Sequence, residues 1–118
     1  MATLALLVDG VVVNRFELEG PQTTIGRRPD NDIQIDDVTV SGHHAVIRRE
    51  ASAYMEGLDE LILCDLGSTN GTLVNGQTVT EHRLRGGDEI RIGLSRFKLT
   101  DHEVPNFEQT AYILPGGD

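Results

Sequence analysis

The chain has 118 residues, 38% of them hydrophobic, with 13 glycines, no tryptophan and a formal net charge of −9; it is long enough for one domain with a core and too short for two of ordinary size. That charge argues against DNA, RNA or an anionic membrane as the main partner, because those are held chiefly by Lys and Arg. The single cysteine, Cys64, rules out an intrachain disulfide, and no basic start with a long apolar run, nor any stretch of eighteen apolar residues, marks a signal peptide or membrane helix, so a soluble, cytoplasmic protein is expected.

Two β-rich runs between Ala2 and Leu18 flank Asp9-Gly10, a pair suited to a two-residue type I′ hairpin in which both central residues take positive φ. Glu19-Gly20-Pro21 is a second turn, Thr23 to Gly26 a short strand, and Arg27 to Asp32 a loop. Ile33-Gln34-Ile35 alternates at period two and is stopped by Asp36-Asp37, after which Val38 to Ser41 leads into another loop. His44 to Glu50 and Glu60 to Cys64 read as longer strands joined through Glu56 to Asp59, with Cys64 expected as a small core hydrophobe. Asp65 to Thr72 is a turn, and Asn75-Gly76 a second hairpin signal between Leu73 and Val79. After the Gly86-Gly87-Asp88 turn, Asp88 to Ile92 and Arg96 to Thr100 form a last hairpin around Gly93-Leu94-Ser95. The pattern predicts an all-β sandwich of about ten or eleven short, mostly antiparallel strands over residues 1–101. Beyond Asp101 no period of two survives and Pro105 removes a ladder donor, so residues 102–118 are expected to be a tail.

Three loops share one chemistry. Gly26-Arg27-Arg28, Ser41-Gly42-His43-His44 and Asp65-Leu66-Gly67-Ser68-Thr69-Asn70-Gly71-Thr72 offer guanidinium, hydroxyl and amide groups on glycine-rich backbone. A phosphate ester suits such a set, since its oxygens accept several donors and a planar Arg fork engages two of them. Arg27, Arg28, Arg48 and Arg49 form the densest positive cluster, but Arg48 and Arg49 face opposite sides of a strand and read best as a solvated strand end.

In order and spacing, Gly26-Arg27, Ser41-x-x-His44, Gly67-Ser68-Thr69-Asn70-Gly71-Thr72 and Asn75-Gly76 resemble the forkhead-associated (FHA) domain, a β-sandwich that binds phosphothreonine, over roughly Thr3 to Asp101. The resemblance implies that Arg27 and Ser41 hold phosphate oxygens, that Thr69 adds a hydroxyl or amide donor, and that Asn70 bonds the peptide backbone beside the phosphothreonine. It makes His44 a structural brace, with Gly26 and Gly71 as backbone requirements. Where the family often carries a polar or basic residue after the serine, this chain has Gly42; Arg28 and His43 are the neighbouring auxiliary candidates. The family often reads the third residue after the phosphothreonine partly from the position two before the serine, here the uncharged Thr39.

Other readings weigh less. Arg27 alone would pass for a solvated loop arginine, and Ser41, Thr69 or Asn70 for residues satisfying only their own turns. Ser41, His44 and Asp65 lack a G-x-S-x-G elbow, so hydrolase chemistry is not expected. His43, His44, His82, His102 and Cys64 lack paired zinc spacing, and the glycine-rich turn lacks the Lys-Ser/Thr of a nucleotide loop, so no metal or cofactor is expected. The expected function is that of a phosphothreonine-dependent adaptor in Ser/Thr-kinase signalling, not an enzyme; the alternative is a phosphate-independent assembly module using the same surface. In the tail, Thr110 lies three residues before Ile113 and is a candidate phosphosite. Nine residues from Asp101 reach at most about 30 Å, which favours docking into a neighbouring copy, while Phe107, Tyr112 and Ile113 alternatively pin the tail to the sandwich.

Overall fold

A computed structural model describes residues 2–53 and 56–100. Over them the chain forms eleven strands and no helix: β1 (Thr3–Val8), β2 (Val11–Glu17), β3 (Gln22–Gly26), β4 (Ile33–Gln34), β5 (Ala45–Ala51), β6 (Asp59–Asp65), β7 (Thr72–Val74), β8 (Gln77–Val79), β9 (Glu81–Arg83), β10 (Glu89–Ile92) and β11 (Ser95–Thr100). One sheet has the order β2-β1-β11-β10-β7-β8 and the other β4-β3-β5-β6-β9, all antiparallel except β3 with β4. This is the all-β sandwich that the turn spacing predicts.

Local chemistry accounts for the hairpins. Asp9 and Gly10 take φ of 52° and 78°, and Asn75 and Gly76 take 51° and 86°, so both pairs supply the left-handed backbone that a tight hairpin needs. Alternation then sorts the faces. Ile90 and Ile92 on β10, Phe97 and Leu99 on β11, and Leu61 and Leu63 on β6 are buried between the sheets, where each fully buried aliphatic or aromatic side chain contributes about 1.5–3 kcal/mol.

The same alternation corrects the expectation for Cys64. It falls on the outer face of β6 with partial exposure, its Sγ 3.9 Å from Glu81 Oε1, and burial pushes its thiol up despite the neighbouring Arg48. Strand β9, Glu81-His82-Arg83, has no apolar alternation to announce it. It forms as an edge on β6, with Arg83 Nε 2.9 Å from Glu60 and Glu81 3.7 Å from Arg48. Arg48 and Arg49 are not simply solvated. Arg48 meets Glu50 and Glu81, while Arg49 donates to the carbonyls of Gly20 and Leu18 and lies 3.5 Å from Asp59, so it pins the β2–β3 turn.

Candidate functional site

The loops joining β3 to β4, β4 to β5 and β6 to β7 come together at one end of the sandwich and are tied by backbone bonds. Arg27 N donates to Ser41 O (3.0 Å), Arg28 N to Gly42 O (3.1 Å), and Leu66 N to His44 O (2.9 Å). Gly26 explains the closeness of the first two loops: a Cβ there would lie 2.2 Å from Gly42 O. Asn31, almost fully buried, clamps the same pair by donating from Nδ2 to Arg28 O and Gly42 O, both at 2.8 Å.

His44 is completely buried. Its Nδ1 accepts from Ser41 N (3.0 Å), which leaves the ring proton on Nε2 to be donated to Gly71 O (2.9 Å). One imidazole thereby fixes the serine loop and the glycine loop together. Ser41 Oγ contacts the Thr69 amide, from which it accepts at 3.0 Å, and is not hydrogen-bonded to the imidazole. His44 Nε2 stands 4.0 Å from Asp65 Oδ1 and is bonded elsewhere, so Ser41, His44 and Asp65 do not form a nucleophile–base–orienter relay.

Asp65 instead organises its own turn. Its Oδ2 accepts from the Gly67 and Ser68 amides (3.0 Å each), and its Oδ1 from Ser68 Oγ (2.5 Å) and Thr72 Oγ1 (2.7 Å); Ser68 Oγ in turn accepts from Gly71 N (2.9 Å). Burial opposes the charge on Asp65, but the Ser68 and Thr72 hydroxyls and the Ser68 and Gly67 amides outweigh it and hold the carboxyl below its ordinary value. Gly67 and Gly71, at φ of 78° and 84°, supply the backbone this turn requires. Asn70 Nδ2 donates across to Thr39 O (2.9 Å), and Thr39 is itself held by Asp37 through its amide and hydroxyl.

Arg27 is the contrast within this network. Its amide is held by Ser41 and its carbonyl accepts from Gln34 Nε2 (3.3 Å), yet its exposed guanidinium has no hydrogen bond or ion pair among the described residues. Arg28 lays its stem over Gly42, where a Cβ would meet Arg28 Cδ at 2.9 Å, so the missing side chain at position 42 is the room Arg28 occupies. His43 Nε2 lies 3.0 Å from Asp30 Oδ2, and that contact, against a smaller cost of desolvation, lowers the Asp30 carboxyl below its ordinary value.

The structure thus brings Arg27, Arg28, Ser41, Gly42, His43, Thr69 and Asn70 to one surface, with Gly26, His44 and Gly71 beneath it. Thr110 lies outside the described residues. The sequence reading missed Asn31, since an Asn four places after the first arginine loop opens carries no distinctive signal; it placed Asp65 at the head of its turn without assigning the carboxylate its organising role, for which an Asp heading a Ser- and Gly-rich turn is an Asx-type signal. Among the described residues no group of three or more His, Cys, Asp and Glu side chains could hold a metal ion.

Comparison with known proteins places this geometry. The FHA domain family model matches residues 23–93. The chain is 45% identical over 91 residues to the oxoglutarate dehydrogenase inhibitor of Corynebacterium diphtheriae, covering 77% of this chain and 57% of that one. It is 45% identical over 86 residues to the glycogen accumulation regulator GarA of Mycolicibacterium smegmatis, covering 73% and 49%. The chain therefore spans about half the length of these two relatives. An FHA domain solved in a study of phosphothreonine-dependent FHA interactions superposes with a TM-score of 0.71 at 37% identity, over 86% of this chain and 96% of that one. With the family model covering most of the sandwich and relatives at this identity, the chain belongs to the FHA domain family.

Proposed function

We propose that this chain is a phosphothreonine-dependent protein-binding module that acts as an adaptor in Ser/Thr-kinase signalling. The observation that carries the reading is Arg27, a guanidinium without a partner among the described residues on a backbone held by Ser41 and Gln34. An immobilised base with a free charged fork binds an oxyanion at little ordering cost. Beside it, Ser41 Oγ uses a lone pair on the Thr69 amide and keeps its own proton to donate to a phosphate oxygen. Asn70, released from Thr39 O or sharing it, is placed to bond the ligand backbone, and the Arg28 side chain over Gly42 supplies the second positive charge.

The binding unit is residues 1–101, with 102–118 as a tail, and the module works in the cytoplasm and without catalysis. Its partner is a protein bearing a phosphorylated threonine. Phosphorylated Thr110 of a second copy is a further candidate ligand, one that the short span to the sandwich directs in trans. Relatives named as an enzyme inhibitor and a metabolic regulator support a role exerted on other proteins. The test is an oriented phosphothreonine peptide library with phosphoserine and unphosphorylated controls. Selective retention of phosphothreonine peptides, lost in Arg27→Ala, supports the module; retention indifferent to phosphate supports phosphate-independent assembly through the same loops.

A further inference from the structure

The sandwich has an open side. Between the sheets, where β2 and β1 approach β4, lies a cleft of about 580 Å³. Its floor is Phe16, Phe97 and Leu6, the two rings 6.4 Å apart between centroids, and its wall is Ile33 and Ile35. At one end stand Val38, 87% exposed, and Leu94, 75% exposed. Strand β2 beside it is an outer strand with Val11 and Val13 more than half exposed. A continuous apolar opening next to a strand edge unpaired among the described residues is a surface that calls for cover.

The chain beyond Thr100 is near enough to cover it. Thr100, the last residue of β11, is opposite Thr3, and Thr3 is opposite Glu17, the last residue of β2. Passing from Thr100 to the far side of β2 crosses about three strand spacings, roughly 15 Å, whereas residues 101 to 107 reach about 23 Å when extended. Phe107 can therefore arrive at the Phe16 end. From there Phe107-Glu108-Gln109-Thr110-Ala111-Tyr112-Ile113-Leu114 is long enough, at about 26 Å, to run past the cleft to Val38 and Leu94. The charges agree: the polar end of the cleft is Asp36 and Asp37, and the segment has no charge after Glu108.

We propose that the segment from Phe107 to Leu114 docks in this cleft of its own molecule, Phe107 against Phe16 and the Ile113-Leu114 end against Val38 and Leu94. The inference does not rest on the phosphothreonine reading. It does bear on Thr110, because phosphorylation there carries a charge of about −1.5 to −2 towards Asp36 and expels the segment, making it available as a ligand in trans.

The test uses the full chain with Cys64→Ser and Gln109→Cys, the new cysteine carrying a nitroxide label, and reads methyl signals by NMR. Docking in cis broadens Leu6, Ile33 and Ile35 while sparing Val46 and Ile62, which lie on the opposite face, and the pattern is lost with Phe107→Ser plus Tyr112→Ser. Broadening that is absent or evenly spread overturns the proposal. So does the same pattern in a mixture of labelled chains with separate isotope-labelled copies, which would make a second molecule the occupant. As an independent measure, ending the chain at Asp101 speeds amide exchange along β2 by about tenfold or more; unchanged exchange contradicts docking.

Discussion

Arg27-Arg28 and Arg48-Arg49 are the same dipeptide, one opening a loop and one within a strand, and the fold puts them to opposite uses. Arg49 is spent on the carbonyls of Leu18 and Gly20 and on Asp59, and Arg48 on Glu50 and Glu81. At Arg27 it is the backbone that is spent, on Ser41 and Gln34, and the guanidinium that remains without a partner among the described residues. What separates the two pairs is thus less their charge than the scaffold, which at Arg27 engages the backbone amide and carbonyl and not the side chain.

Removing the scaffold while keeping Arg27 should have the largest effect. His44→Ala takes away a buried ring that serves both Ser41 N and Gly71 O, so chemical denaturation should show a loss of about 3 kcal/mol, with phosphopeptide affinity falling as well because the loops part. Arg27→Ala should do the reverse. Loss of a hydrogen bond to a charged group costs about 1.5–3 kcal/mol, roughly ten- to a hundredfold in phosphopeptide affinity by calorimetry, with the unfolding midpoint unchanged. Arg49→Ala then gives the mirror image, a stability loss of about 1 kcal/mol in denaturant with affinity intact.

Two smaller effects are read against pH. The folded Asp65 carboxyl lies below the ordinary 3.8, so its network stabilises fully above that value and is lost as the pH falls through the folded one. Thermal unfolding should be insensitive to this group at neutral pH and drop in acid below about pH 4, and Asp65→Asn should flatten that drop while lowering stability at neutral pH. Affinity for a phosphothreonine peptide should fall a few-fold between about pH 7.5 and 5.5, as the phosphate gains its second proton near 6 and its pull on Arg27 weakens.

Hairpins were legible in the sequence because they are local: Asp9-Gly10 and Asn75-Gly76 announce the backbone they adopt. So was the gathering of the three loops, since their residue types share one chemistry. What could not be read were features set across strands. Strand β9 exists through its partner β6, Cys64 faces outward because Leu61 and Leu63 claim the core, and Asn31 clamps two loops whose proximity depends on Gly26 meeting Gly42. The space Arg28 takes over Gly42 is of the same kind: a glycine that looks like a missing donor is room for a neighbour's side chain.

The proposal stands on the Arg27 fork, unpartnered among the described residues, forming a phosphothreonine site with the Ser41 hydroxyl. Calorimetry with three peptides identical but for one position tests it most directly, using phosphothreonine, phosphoserine and unmodified threonine against the native chain and Arg27→Ala. The phosphothreonine peptide should bind the native chain, the other two should bind far more weakly, and the first should lose its binding in the variant. Equal affinity for all three, unchanged by Arg27→Ala, would contradict it.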